Sequence, residues 1–373
     1  MMGRIIVMVL LCLFMLAPQA WAQQPPDKDP QGGVSQDIVQ NWDRSAIPAE
    51  ISLIAPKTLL AYNADPARGY GALHFTCASS SHAATGRCPV SDTAELGSYK
   101  GSIVLQLTEQ RSGMVTEINV LGWLDRAESG RACNNYWQPQ PRPLWTSAAT
   151  PCITPASGTA VTLLIEESEL RRLVAGRWLA QLHLTLRSAG GAGLAEYDFR
   201  FDLTITDRNA VAIYFPAFEH TTPLVQLSTV FDPMSHTIAG RTVLDMCLYD
   251  GLGSQAQYLA VTVRDLGPQP PGPTGFSLWH NQGGTDRMRR LDYTVSLEHN
   301  GATVVLPNGI EQQLHDIDTA KLRLVLLPGT SQPVYCVPTP ITFEIPRVPI
   351  STQQPGTYFG DLRLELRVPT VTP

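Results

Sequence analysis

Cysteines are the side chains of this 373-residue chain whose number and spacing say most about chemistry. One of the seven, Cys12, lies in an apolar segment at the amino terminus, and the remaining six form an even set: Cys77, Cys88, Cys133, Cys152, Cys247 and Cys336. Close spacing favours two short pairs, Cys77 with Cys88 and Cys133 with Cys152, which leaves Cys247 for Cys336. A zinc site is the alternative, but the chain has no CxxC pair and no histidine at ligand spacing. We therefore predict three disulfides and no metal site.

Other reactive side chains do not form a recognisable catalytic pattern. The sequence has no HExxH, no GxSxG, no Walker loop and no GxGxxG after a strand. Glu166 and Glu167 are adjacent, and neighbours in a helix face different directions. His315 with Asp316 and Asp318 has the composition of a polar turn before a strand. An enzyme remains a rival hypothesis, but we predict no catalytic residues and no cofactor.

The amino terminus has the pattern of a secretory signal peptide. Arg4 precedes an apolar run from Ile5 to Leu16, and Ala20-Trp21-Ala22 gives the small-x-small cleavage pattern. We predict a signal peptide over residues 1–22 and an exported protein whose compartment permits disulfides. No later segment is long and apolar enough to predict insertion in a membrane. A net charge of -6 argues against a nucleic-acid partner.

The elements that must position these residues are predicted to be strands. Apolar side chains occupy every second position in several runs, which is the pattern of half-buried strands. The clearest runs are 182–186, 199–205, 322–326 and 362–366, and further candidates are 103–108, 117–123, 211–215, 259–264, 293–297 and 341–345. Helical periodicity is nearly absent, and only Glu166 to Val174 is a candidate for two helical turns. The sequence therefore predicts an all-β protein.

The length corresponds to about two domains. Residues 206–210, Thr-Asp-Arg-Asn-Ala, interrupt two alternating runs and divide the six cysteines into sets of four and two. We therefore predict an N-terminal domain over 23–206 and a C-terminal domain over 207–373.

Several motifs, in the same order along the chain, resemble the tip adhesins and initiator subunits of class 5 chaperone-usher fimbriae, a family that includes colonisation-factor fimbriae and cable pili. Those in the N-terminal half are Asp27-Lys-Asp-Pro30, Leu60-Ala-Tyr-Asn63, Cys77-Ala-Ser-Ser80, Cys88-Pro-Val-Ser-Asp92, Leu105-Gln-Leu-Thr-Glu-Gln-Arg-Ser112 and Ala156-Ser-Gly-Thr159. Those in the C-terminal half are Gly240-Arg-Thr-Val-Leu-Asp-Met-Cys-Leu-Tyr-Asp-Gly251 and Pro355-Gly-Thr-Tyr-Phe-Gly360.

The resemblance implies two immunoglobulin-like β-sandwiches, an N-terminal adhesin domain and a C-terminal pilin domain that lacks one strand. It implies that the strand from Leu362 to Val368 borders an open groove, which the N-terminal donor strand of a major pilin fills by strand addition. It further implies a periplasmic chaperone, an outer-membrane usher and a host receptor, possibly a glycan, as partners. The expected location is the tip of a fimbria on a Gram-negative cell surface. A structural cap that initiates the fimbria without binding a receptor is the alternative.

Arginines on the outer part of the N-terminal domain are implied as receptor-binding residues. Two adjacent family positions fall on Ser188 and Ala189 here, with Arg187 one place earlier, and a third falls near Gly71 or Ala72, with Arg68 closest. Arg187 follows an alternating strand, so its side chain is expected to point away from the core and toward a ligand. The alternative is a solvated charge that discourages pairing between sheet edges.

Aromatic side chains in the predicted Cys133–Cys152 loop are a second set of receptor-binding candidates. The loop holds Tyr136, Trp137, Arg142 and Trp145 among prolines. Aromatic rings held in a covalent loop are a suitable platform for a sugar face or a peptide. The alternative is that the two tryptophans cover the end of the sandwich.

Overall fold

The computed structural model describes residues 24–131, 135–149 and 155–369. Strands dominate these residues, and the one α-helix among them is a single turn. The disulfides Cys77–Cys88 and Cys247–Cys336 are both formed. The predicted signal peptide and the predicted Cys133–Cys152 pair lie outside the described residues.

The described residues of the N-terminal half, within 24–206, form eight strands and the one-turn helix α1. In chain order they are β1 (Val34–Asp43), β2 (Glu50–Tyr62), β3 (His74–Cys77), β4 (Gly101–Glu109), β5 (Val115–Glu128), β6 (Ala156–Glu166), α1 (Glu167–Leu170), β7 (Gly176–Arg187) and β8 (Gly193–Thr206).

These strands form two layers. The order β1-β8-β7 continues to β4-β5-β6-β2 through only two residue pairs, Thr108 with Leu179 and Glu109 with Trp178, while β3 pairs with the other end of β7. Because β7 and β4 diverge beyond those pairs, the two groups of strands face each other, and the alternating apolar side chains of β7 and β8 fill the space between them. The N-terminal half is therefore a closed β-sandwich.

The C-terminal half contains fourteen shorter strands among the described residues. They are β9 (Ala212–Tyr214), β10 (Thr229–Asp232), β11 (Thr237–Leu244), β12 (Cys247–Tyr249), β13 (Tyr258–Asp265), β14 (Phe276–His280), β15 (Arg290–His299), β16 (Ala302–Val305), β17 (Gln312–His315), β18 (Arg323–Val325), β19 (Val334–Pro338), β20 (Ile341–Pro349), β21 (Tyr358–Phe359) and β22 (Leu362–Arg367).

One layer of this second sandwich is continuous and the other is divided. The continuous layer has the order β10-β11-β20-β15-β14-β21, with β16 also paired to β15. The facing strands form two separate small sheets, β18-β19-β12-β9 and β17-β13-β22. Each small sheet therefore ends on an edge strand, β9 in one case and β22 in the other.

The two halves are in contact through an apolar interface. The core of the first sandwich continues into the second through Tyr249, Val325 and Leu327. A Cβ atom added to Gly253 would lie 2.6 Å from the Cα of Gly176 at the start of β7, so the two backbones approach closely. The Arg111 guanidinium in the β4–β5 turn donates to the carbonyl oxygens of Ile317 and Ala320 in the second half.

The predicted orientation of the 322–326 run is wrong. Leu324 and Leu326 are 51% and 57% exposed, and the alternate residues Val325 and Leu327 are buried. Both alternating sets are apolar beyond Leu324, so the local pattern does not specify which face turns inward. Pairing of the short strand β18 with β19 decides the orientation.

The predicted two-turn helix is also shorter than expected. Helix α1 ends at Leu170, and the chain then turns toward β7. The carbonyl oxygen of Val174 accepts a hydrogen bond from the buried Trp178 indole at 2.9 Å. The buried Trp178 thus ties residue 174 to the start of β7, where the chain has already left the helix.

Candidate functional site

A long apolar groove separates the two small sheets of the C-terminal sandwich. Its volume is about 770 Å³, and its walls are the segments around β9 and β22. On the β22 side, Leu362, Leu364 and Leu366 point alternately into the groove, whereas Arg363 and Arg367 are exposed. Strand β22 pairs only with β13 among the described residues, so its backbone on the groove side is open to another strand.

The floor of the groove comes from the continuous sheet. Side chains of four of its strands lie there: Leu244, Leu278, Tyr293, Ile341 and Phe343. Burial raises the pKa of the Tyr293 phenol, which keeps that group uncharged. The floor is thus an extension of the hydrophobic core that no strand of the described residues covers.

The opposite wall of the groove has little regular secondary structure. After β9 the chain runs along the groove through residues 221–227 without regular structure. Val225 and Leu227 pack partly against the core, while Leu224 is 89% exposed. A strand inserted beside β22 would therefore find one complete backbone edge and one irregular edge.

The other end of the molecule is defined by the direction of β7. This strand of twelve residues begins beside Gly253 of the second half and ends at Arg187. At about 3.3 Å per residue, Arg187 lies about 35 Å from the domain interface. The start of β3 pairs with Arg187, and β2 and β5 both run toward this end. We call this region the distal end.

Arg187 and Arg68 both lie at the distal end. Arg68 is exposed and ends a 3-10 turn that follows β2. Arg187 is partly exposed, and its guanidinium donates to Thr76 Oγ1 and to the Gly191 carbonyl, both at 2.9 Å. The Arg187 side chain points away from the core as predicted, but two intramolecular hydrogen bonds hold it against the surface. Its role in receptor binding stays a prediction.

The four candidates of the 133–152 loop divide into two groups. Residues 136–142 pair with the free edge of β5 beyond the start of β4, which leaves Tyr136 and Trp137 partly exposed. Arg142 and Trp145 are 1% and 8% exposed. Tyr136 and Trp137 therefore stay receptor candidates, whereas Arg142 and Trp145 are not accessible to a ligand.

Both buried candidates hold neighbouring segments together. The Arg142 guanidinium donates to the carbonyl oxygens of Leu96 and Gly97, at 2.6 and 3.2 Å. The Trp145 indole donates to Glu95 at 2.7 Å. The hypothesis that these two side chains form a sugar-binding platform is therefore wrong, because the segment 95–97 covers them.

Comparison with known proteins covers both halves of the chain. The profile for the first domain of CfaE, a protein of CFA/I fimbriae, matches residues 18–208, and the profile for its second domain matches residues 211–370. The chain belongs to the CfaE family of fimbrial subunits. Within that family, the CFA/I fimbrial protein CfaE of Escherichia coli is 26% identical over 349 residues, which is 91% of each chain.

Solved structures in the family have the same fold. The crystal structure of CfaE, the adhesive subunit of CFA/I fimbria of enterotoxigenic E. coli, superposes with a TM-score of 0.68 at 24% identity, over 93% of this chain and 95% of that one. A structure of a chaperone-tip adhesin complex of CFA/I fimbriae superposes with a TM-score of 0.64 at 23% identity, over 93% and 99%. Both halves of the chain are therefore immunoglobulin-like sandwiches in tandem. No helix in the described part of the chain has the length and apolar character needed to cross a membrane.

Sequence reasoning missed a fully buried cation at the distal end. Arg126 is 0% exposed and donates to the Leu73 carbonyl, Thr159 Oγ1 and the Thr146 carbonyl at 2.6–2.7 Å. Burial lowers the pKa of Arg126 to about 9, and the nearby Arg142 cation adds to this shift. Arg126 joins three segments that surround β5. Its position in the alternating strand β5 did not indicate burial, because charged side chains are mostly exposed to water.

Proposed function

We propose that this chain is the tip subunit of a fimbria, that it initiates fimbrial assembly, and that its N-terminal domain attaches the fimbria to a host receptor. The open groove beside β22 is the observation that carries this proposal. A sandwich whose second layer is divided by an apolar gap is completed by one added strand, which would join β22 to the β9 side through main-chain hydrogen bonds. Membership of the fimbrial family supports the same conclusion.

The inserted strand is proposed to be the N-terminal segment of the next pilin. Alternate apolar side chains of that segment would fill the groove that Leu362, Leu364 and Leu366 border. Before assembly, a periplasmic chaperone would cover the groove, because an open apolar strand edge is an aggregation hazard. The relative solved as a chaperone-tip adhesin complex supports this step. Delivery to an outer-membrane usher and display on the cell surface complete the proposed route.

Donor-strand addition is tested by thermal unfolding of residues 23–373 with and without the fused N-terminal segment of the cognate major pilin. We expect a higher yield from the periplasm and a rise in Tm of about 10 °C or more, because several apolar side chains become buried. The matched control is the same fusion with its alternating apolar residues changed to serine. Equal Tm values for all three proteins would mean that the second sandwich is already complete.

Receptor binding is tested separately, because a structural cap would also need the donor strand. The stabilised fusion is applied to epithelial cells and its saturable binding is measured. We expect binding that Arg187→Ala reduces, with Arg177→Ala as the control, since Arg177 is paired with Asp202 at the other end of β7. A stable fusion with no saturable binding would favour the non-adhesive cap.

A further inference from the structure

The groove of the C-terminal sandwich has one end against the N-terminal half and one end that faces away from it. Strand β13 starts shortly after Gly253, which contacts the start of β7, and runs away from that contact to Asp265. Strand β22 is antiparallel to β13 and has Leu362 beside Asp265. The eight residues of β13 span about 25 Å, so Leu362 lies far from the N-terminal half. We call this far end of the second sandwich the basal end.

Three connecting segments of the continuous sheet meet at the basal end. His299 Nε2, at the end of β15, lies 2.6 Å from the His315 carbonyl oxygen, and His315 pairs with Tyr258 at the start of β13. The end of β15 is therefore near the N-terminal half. Antiparallel pairing then places the start of β15, the end of β20 and the start of β11 at the basal end. The segments that connect these strand ends are 233–236, 281–289 and 350–357.

Hydrogen bonds join the three segments into one surface. The backbone N–H of Ile350 donates to the His236 carbonyl oxygen at 3.0 Å. The backbone N–H of Gln354 and the Tyr358 hydroxyl both donate to the Met288 carbonyl oxygen, at 2.8 and 3.0 Å. The surface is therefore built by contacts between segments that are distant in sequence.

Large apolar side chains are exposed on this surface. Met234 is 91% exposed and Phe359 is 60% exposed, and Met288 and Ile350 are about half exposed. Phe359 is followed directly by Gly360, which lines the groove, so the surface continues into the groove. We define Met234, Met288, Ile350 and Phe359 as the basal face. Exposed apolar patches mark interaction sites, and methionine adapts its shape to a partner.

Exposed cations border the basal face. Arg289 is paired with Asp286. Arg287 and Arg347 are also exposed, and neither has a carboxylate within salt-bridge distance among the described residues. A partner that covers the apolar side chains can therefore neutralise these two arginines with carboxylates of its own.

We propose that the basal face is the docking site for the folded body of the pilin whose N-terminal segment fills the groove. The proposal rests on the proposed donor-strand function. A segment in the groove continues into its own folded domain, and the N-terminal half of this chain occupies the other end, where Val211 lines the groove. The pilin body therefore starts beside Leu362 and the basal face. Apolar and acidic side chains on that body are the complementary chemistry.

Oxidation of methionines by hydrogen peroxide, measured for each residue by mass spectrometry, tests the proposal. Residues 23–373 are compared as the donor-strand fusion and as a complex with one complete cognate pilin, whose own groove is filled by a fused strand. We expect Met234 and Met288 to be oxidised about fivefold or more slowly in the complex, because the pilin body covers them. Buried Met246 should stay unreactive in both, and Met114 in the N-terminal half should react equally in both.

A double charge reversal tests the border of the face. Arg287→Glu/Arg347→Glu should return the oxidation of Met234 in the complex toward the rate in the fusion, and it should leave the Tm gain from the fused strand unchanged. The matched control is Arg68→Glu/Arg171→Glu, which reverses two exposed arginines of the N-terminal half. This control should keep Met234 protected.

The outcomes separate this proposal from the proposed function. A Tm gain from the fused strand, with equal methionine oxidation in fusion and complex, would overturn the basal face and leave donor-strand addition standing. Protection by the periplasmic chaperone but not by the pilin would assign the face to the chaperone and would also overturn the proposal. Absence of both the Tm gain and the pilin complex would overturn the basal face and donor-strand addition together.

Discussion

Arg126 shows at the residue scale how a buried charge can organise one end of a sandwich. Its guanidinium supplies the hydrogen-bond donors for oxygens on three segments that are far apart in sequence. We expect Arg126→Met to lower the free energy of unfolding by about 2 kcal/mol, because it leaves three buried acceptors unpaired while removing a desolvated cation. Chemical denaturation, followed through the unfolding transition of the N-terminal domain, measures this free energy.

The matched control for that substitution is Arg200→Met on β8. Arg200 pairs with Asp37 in an exposed position, where an ion pair has little effect on stability. If both variants unfold at the same denaturant concentration as the parent, the buried network around Arg126 does not stabilise the domain.

His74 gives the N-terminal domain a predicted dependence on pH. Its ring is 0% exposed, and burial lowers its pKa, an effect that the Ala72 carbonyl and Asp92 oppose and that Arg126 and Arg187 reinforce. Folding therefore favours neutral His74. The unfolded chain takes up a proton as the pH falls through about 6.5, so stability present above that pH is lost below it.

We expect the free energy of unfolding to fall between pH 7.5 and 5.5, with a contribution from His74 of at most about 1.4 kcal/mol per pH unit. His74→Asn should flatten this slope, since asparagine has no proton to take up in this range. His82→Asn, at an exposed position, is the control and should keep the parent slope. Parallel slopes for all three proteins would exclude His74 as the cause.

At the scale of elements, the two described disulfides close loops of different length. Cys77 and Cys88 are 11 residues apart, and Cys247 and Cys336 are 89 apart. In the chain-entropy account a longer loop restricts the unfolded chain more, by about 4.6 against 2.8 kcal/mol here. We expect serine replacement of Cys247 and Cys336 to lower the Tm of its domain more than replacement of the short pair lowers that of the other. Equal falls in Tm for the two pairs would argue against loop entropy as the main source of disulfide stabilisation.

The side chains of β22 allow a test of where the donor strand packs in the groove. Leu364 points into the groove, whereas its neighbour Arg363 is exposed. We expect Leu364→Ser to remove much of the Tm gain that a fused donor strand gives, and Arg363→Ser to preserve it. The quantity compared is the difference in Tm between fused and unfused forms of each variant. A gain unaffected by Leu364→Ser would mean that the donor strand does not pack beside β22.

At the scale of the whole molecule, the domain interface determines whether the two sandwiches unfold together. Arg111 contributes two hydrogen bonds across it, beside the continuous apolar contact through Tyr249. We expect Arg111→Ala to separate a joint calorimetric transition into two, because the coupling falls by about 1–2 kcal/mol. Arg87→Ala, which breaks an exposed pair with Glu117 inside one domain, should not. A single unchanged transition for Arg111→Ala would show that the apolar contact alone couples the domains.

Local pattern in the sequence determined much of the architecture of this protein. Period-2 alternation predicted β4, β5, β7 and β8 of the N-terminal sandwich, but not β1, β2, β3 or β6. It also predicted the inward phase of Leu362, Leu364 and Leu366, because successive side chains of a strand point to opposite faces. Close spacing predicted Cys77–Cys88, and pairing of the nearer cysteines left Cys247 for Cys336, as the structure has them. Motif order indicated the fimbrial family.

Only the tertiary structure decided which surfaces are open. Alternation could not orient the run at Leu324, where both phases are apolar, nor show that Arg142 and Trp145 lie beneath residues 95–97. The groove depends on β9 and β22, which are about 150 residues apart in sequence yet border one gap. Exposure and proximity of this kind arise from long-range packing, which no window of the sequence contains.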